Sequence, residues 1–107
     1  MQHLSTTELA AWLADRCRVQ PLLLDVREPW EYETCHIPGS QLMPMSSIPM
    51  RQEELNPEQP IVCICHHGAR SMQVAAFLER AGFENITNLT GGINDWALQV
   101  DGSMPTY

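Results

Sequence analysis

One short run concentrates the chemistry available to this chain: Cys65-His66-His67-Gly68-Ala69-Arg70-Ser71. It places a thiol, two imidazoles, a guanidinium and a hydroxyl around one glycine. The apolar run Ile61-Val62-Cys63-Ile64 before it has the length of a buried strand. Met72 to Ala81 after it has helical spacing and closes on Gly82. Cys65 therefore falls where a strand hands over to a helix. Such a junction brings backbone N–H groups and the positive end of a helix dipole to one point. A thiol held there is a candidate nucleophile.

Several readings of this run compete. A lone cysteine is most often a small core residue, but here a glycine turn, a helix start and Arg70 converge on it. Cys63, Cys65, His66 and His67 are all good zinc ligands, yet side chains this close in sequence do not readily surround one ion, and Cys63 lies inside the apolar run. No metal or other cofactor is called for. Cysteine-dependent phosphatases carry five residues between cysteine and arginine, whereas here there are four, His66 to Ala69. The tighter ring of N–H groups suits a sulfur atom presented to the thiolate, or a persulfide on it, better than a phosphoryl group.

The elements that must position this loop follow in order. Ser5-Thr6-Thr7-Glu8 is a capping box opening a helix to about Arg16, with Leu9, Trp12, Leu13 and Arg16 along one side. Cys17, near its end, reads as a small, partly buried residue. Leu22-Leu23-Leu24 has the pattern of a strand covered on both faces. It runs into Asp25-Val26-Arg27, and charged residues at the end of a parallel strand lie where open α/β sheets carry function. Glu28 to Glu33 reads as a short helix with a proline in its first turn. His36-Ile37-Pro38-Gly39 turns into a short strand. Residues 43–60, divided by four prolines, form a loop-rich crossover with one or two helical turns at 51–55. Strands at 2–4, 22–25, 40–43, 61–65 and 86–89, and a final helix from Ile93 to Val100, complete the pattern. It predicts one α/β domain over residues 1–107: a five-stranded, mainly parallel sheet with helices on both faces.

The bulk properties exclude some partners. Net charge is -7 and all six basic residues are arginines, so a nucleic-acid surface is not expected. No apolar run reaches membrane-spanning length, and the first residues do not read as a signal peptide, so the expected location is the cytoplasm. Four cysteines at uneven spacing fit catalytic or redox use better than a disulfide framework.

Taken together, the motifs closely resemble the rhodanese family of sulfurtransferases over nearly the whole chain. They are Leu24-Asp25-Val26-Arg27 followed by Glu31, His36-Ile37-Pro38-Gly39, Cys65-x-x-Gly68-x-Arg70-Ser71, and Gly91-Gly92 with Trp96. The chain looks like a stand-alone rhodanese-like domain. Two departures are Cys35, where glycine is common, and Ser40, where alanine is frequent; the first could bring a second thiol near the surface.

This resemblance implies transfer of a sulfane sulfur through a persulfide on Cys65. The donor would be a small sulfur-containing anion such as thiosulfate, and the acceptor cyanide or a thiol. A protein sulfur donor or acceptor would need the same loop, and a non-catalytic binding module of the same fold is the other class. In this scheme Gly68 permits the turn, and the N–H groups of the loop, which includes Ala69 and Ser71, stabilise the sulfur anion. Arg70 either meets a donor oxyanion or anchors the loop, with Asp25 and Arg27 as its expected partners. His66 or His67 would steady the leaving sulfite. His36 is expected to pin its own turn, and Gly91, Gly92 and Trp96 to be architectural.

Overall fold

Leu23 and Leu24 are buried because both faces of their strand are covered, while Leu22 at its start is partly buried. The computed structural model describes residues 1–107. Its strands are β1 (Gln2–Leu4), β2 (Leu22–Asp25), β3 (Gln41–Leu42), β4 (Ile61–Ile64) and β5 (Ile86–Leu89). They form one sheet in the order β1-β5-β4-β2-β3, with every pair parallel. The helices are α1 (Thr6–Ala14), α2 (Pro29–Thr34), α3 (Ile48–Arg51), α4 (Ala69–Arg80) and α5 (Gly92–Gln99). None is long and apolar enough to cross a membrane.

Alternation along the strands divides the core in two. Ile61, Cys63 and Cys65 face one side of the sheet with Leu24, packed under Val74, Ala75 and Leu78 of α4. Val62 and Ile64 face the other side with Leu23, packed under Leu9 and Trp12 of α1 and Ile93 and Trp96 of α5. Helices thus cover both faces, as the continuous apolar strands require. Asp25 pairs in register with Ile64, so the ends of β2 and β4 lie side by side.

The structure moves several boundaries. Helix α1 stops at Ala14, and Arg16 lies beyond it, because the Asp15 carboxylate accepts the Cys17 N–H at 3.0 Å and starts a turn. Cys17 is exposed rather than partly buried. Strand β3 is only two residues long, since Ser40 is held in the preceding turn by its N–H and hydroxyl, both bonded to the Ile37 carbonyl. The crossover holds more structure than expected: 3₁₀ turns at Met45–Ser47 and Gln52–Glu54 flank α3, and Pro49 sits inside the first turn of α3, where its missing N–H costs nothing. Helix α4 begins at Ala69, three residues before Met72. Gly68 at φ 109° caps it directly, so Ala69, Arg70 and Ser71 belong to its first turn.

Candidate functional site

Gly68 decides how Cys65 is held. Its left-handed backbone, open to glycine without penalty, folds the chain back after two histidines so that the Gly68 N–H reaches Cys65 Sγ at 3.0 Å. Ser71, one turn into α4, brings its Oγ to 3.3 Å from the same sulfur. The N–H groups of His66, His67, Ala69, Arg70 and Ser71 have no acceptor within the protein, as expected for the open end of a helix. The loop is buttressed from behind by α5: the Ile93 and Asn94 N–H groups bond the carbonyls of Cys65 and His66 at 2.9 and 3.0 Å. Gly92 packs against those same carbonyls, leaving no room for a side chain. The sulfur itself is buried, with Cys65 only 1% exposed. Cys63, deeper on the same face, is pushed up to about 12 by burial and then by the neighbouring Cys65, so it stays a neutral thiol.

The two arginines divide the neighbouring carboxylates between them. Arg27 is fully buried and forks onto Asp25, Nε to Oδ1 at 2.8 Å and Nη2 to Oδ2 at 2.6 Å. It also donates to the carbonyls of Cys35 and Glu31. Arg70 forks instead onto Glu31 of α2, at 2.6 and 2.9 Å. The expected pairing of Arg70 with Asp25 and Arg27 is therefore corrected: both Asp25 oxygens are already taken by Arg27, and Glu31, near the start of α2, is the free carboxylate that faces α4. Each terminal nitrogen of Arg70 donates one bond to this pair, tying the first turn of α4 to α2. Buried and bidentate, Asp25–Arg27 is a framework pair beside the loop.

Glu31 carries a consequence for acid stability. The Arg70 hydrogen bonds, helped by the Glu28 N–H and the Tyr107 hydroxyl, hold its carboxyl down to about 2 against an ordinary 4.5, with burial opposing. The unfolded chain binds that proton more readily, so stability rises with pH across this window. The contribution is complete above about pH 4.5 and lost as pH falls through about 2. Glu31→Gln should therefore cost about 1–3 kcal/mol at pH 7 by stranding Arg70. Its melting temperature should vary less than wild type between pH 4.5 and 2. Parallel melting curves for the two proteins over that window would refute the assignment.

An aromatic column stands over the loop. The His66 ring stacks on Tyr107 at 4.1 Å between centroids and on His67 at 4.0 Å. Tyr107 is fixed by its hydroxyl, which accepts from Arg27 at 2.9 Å and donates to Glu31 at 2.7 Å. Burial pushes this phenol up to about 12, so it keeps its proton. His66 is drawn below the usual histidine value, first by burial, then by His67. His36 bonds the Tyr32 carbonyl at 2.8 Å and stacks on the Tyr32 ring; its contacts hold its own turn and none reaches the loop. Cys35 is buried in the second core, which corrects the expectation of a thiol near the surface.

The structure thus gathers Cys65, Gly68, Ser71 and Arg70 at one point, with Asp25 and Arg27 beside them. Three further residues contribute to the site: Glu31, Asn88 and Tyr107. Glu31 was visible only as a motif position. Asn88, which accepts from Ser71 Oγ at 2.5 Å, was signalled by being an amide inside a fully buried strand. Tyr107, at the far end of the chain, gave no local signal.

A family model described as the rhodanese-like domain matches residues 5–99. The chloroplastic rhodanese-like/PpiC domain-containing protein 12 of Arabidopsis thaliana is 44% identical over 89 residues, 79% of this chain. The match takes up only 30% of that relative's length. A protein named sulfurtransferase from Allochromatium vinosum is 37% identical over 97 residues, covering 91% of this chain and 89% of that one. The crystal structure of a rhodanese-like domain protein from Staphylococcus aureus superposes with a TM-score of 0.85 at 28% identity, covering 100% of this chain and 99% of that one.

Proposed function

The chain belongs to the rhodanese-like domain family, and from that membership and the Cys65 loop we propose that it is a sulfurtransferase working through a persulfide on Cys65. The observation that supports this most is the sulfur's setting: Sγ accepts the Gly68 N–H at the start of α4, in a loop whose other backbone N–H groups have no acceptor within the protein. Such donors stabilise a sulfur anion without a nearby free cation. That matters here, because Arg27 and Arg70 are both neutralised by carboxylates and the chain carries a net charge of -7.

In the first half-reaction the Cys65 thiolate attacks the outer sulfur of thiosulfate. A sulfur–sulfur bond forms as the old one breaks, and sulfite leaves with the electron pair. In the second, the carbon of cyanide, or an acceptor thiolate, attacks the terminal sulfur of the persulfide and returns Cys65 as thiolate. Two displacements at sulfur replace one difficult transfer. The Arg70–Glu31 pair keeps the start of α4 in register with the strand end, so that the N–H donors are aimed before the donor arrives. The four cysteines are all free thiols, which fits the reducing cytoplasm, where we place the protein.

The testing experiment is thiocyanate production from thiosulfate and cyanide by the purified protein, with His66→Ala and His67→Ala measured alongside. A neutral donor near the leaving sulfite contributes about 0.5–1.5 kcal/mol. At least one of the two variants should therefore raise the thiosulfate KM by about 2–10-fold with kcat little changed. Identical kinetics in both would remove the histidines from donor binding. Absence of thiocyanate from the wild-type protein would reject thiosulfate as donor.

A further inference from the structure

Behind the Cys65 loop, two buried polar groups stand in series. Cys65 Sγ lies 3.3 Å from Ser71 Oγ, and Ser71 Oγ donates to Asn88 Oδ1 at 2.5 Å. All three residues are buried. A serine hydroxyl has one proton, and Asn88 holds it, so with Cys65 as a thiol the S–H must donate to Ser71. Gly68 N–H is then the only donor that Sγ accepts.

When the thiol proton leaves to water, this arrangement opposes the charge, because Ser71 turns lone pairs toward a sulfur anion. The anion is favoured if the hydroxyl swings its proton to Sγ. That swing would leave Asn88 Oδ1 facing a hydroxyl oxygen. Asparagine resolves the conflict, since one end of its amide accepts and the other donates. Turned by half a rotation, it offers Nδ2 to Ser71 Oγ and keeps the buried groups paired. The turn breaks no other hydrogen bond, since the bond from Ser71 is the only side-chain hydrogen bond Asn88 makes, and the residue borders a cavity of about 310 Å³ shared with His3, His67 and Gly68.

We propose that Asn88 is a positioning residue for Cys65, whose amide turns when the thiol becomes a thiolate and so lets Ser71 donate to the sulfur. The proposal rests on Cys65 being the reacting thiol of the sulfur transfer described above, but its tests read the thiol directly and do not depend on turnover. The other titratable groups around the sulfur and Asn88 are Cys63 on β4, His3 on β1 beside Asn88, His66 and His67 in the loop, Tyr107 over His66, the Arg70–Glu31 pair, and the Asp25–Arg27 pair at the end of β2. They are the same in every variant compared.

The first test is the rate of Cys65 alkylation by iodoacetamide against pH, read on the Cys65 peptide by mass spectrometry so that exposed Cys17 does not interfere. Asn88→Asp accepts but cannot donate, so it locks Ser71 away from the sulfur. The midpoint should rise by about one pH unit, a tenfold slower reaction near neutrality. Asn88→Leu frees the hydroxyl, and its midpoint should stay at or below the wild-type value. In a Ser71→Ala background the Asn88→Asp effect should shrink to less than about threefold, the residue of charge alone. Equal shifts in the Asp and Leu variants, or a full Asp effect without Ser71, would overturn the proposal.

The second test needs no substitution to fold. In wild-type protein the Asn88 side-chain NH₂ signals should move as Cys65 is titrated, one proton shifting downfield as it gains Ser71 as acceptor. Signals that stay fixed through the titration would overturn it equally.

Discussion

Cys65→Ser is expected to lower thiocyanate formation by about 10³-fold or more while leaving the fold intact. A serine hydroxyl remains neutral near pH 7 and has no counterpart to the persulfide, so neither half-reaction can proceed. Little else should change. The smaller oxygen still lies beside the Gly68 N–H and Ser71 Oγ that now hold the sulfur, and the loop stays tied through the carbonyls of residues 65 and 66 to α5. Cys17→Ser serves as the control, since that thiol is exposed and makes no contact with the loop. Turnover that survives Cys65→Ser at a rate near wild type would reject the mechanism even if sulfur transfer were real.

Gly92→Ala should have the next largest effect, and by a different route. A Cβ at this position would overlap the carbonyls of both Cys65 and His66, and backbone on both sides leaves no flexible side chain to yield. Relief requires the start of α5 to move away, which breaks the Ile93 and Asn94 N–H bonds to those carbonyls. Overpacking against backbone with loss of two buried hydrogen bonds should cost about 2–4 kcal/mol. Displacing the reacting sulfur by about 1 Å should cost on the order of 10²-fold in rate. Gly39→Ala separates this from simple glycine strain. Gly39 also has positive φ, at 86°, but nothing lies within 4 Å of a Cβ built there. It should lose only about 1–2 kcal/mol of left-handed strain and keep full activity. Near-wild-type stability and rate in Gly92→Ala would mean that α5 does not hold the loop.

The parts of this molecule governed by short-range pattern were legible in its residues. Leu22 to Leu24 and Ile61 to Ile64 announce strands covered on both faces, and the structure buries them between two helical layers. Cys65, Gly68 and Arg70 stand out because a strand end, a turn and a helix start meet there. What escaped depends on distance along the chain. Arg70 meets Glu31 across 39 residues, a pairing decided by how α2 packs and by Arg27 having already taken both oxygens of Asp25. Tyr107 reaches Arg27 across 80 residues, with no local feature to announce it. The crossover at 43–60 holds more helix than its residues announce, because its single turns are too short to form on their own and pack through Ile48 and Leu55 into the core. Helix α4 starts three residues before Met72, since an αL glycine can open a helix as well as close one.

The persulfide on Cys65 is tested most directly by the intact mass of the protein after incubation with thiosulfate, followed by cyanide, with the modified residue located by peptide mapping. One sulfur atom should be gained, on Cys65 and not on Cys17, Cys35 or Cys63, and it should be lost completely on adding cyanide. No added sulfur, or sulfur carried on another cysteine, would contradict this assignment.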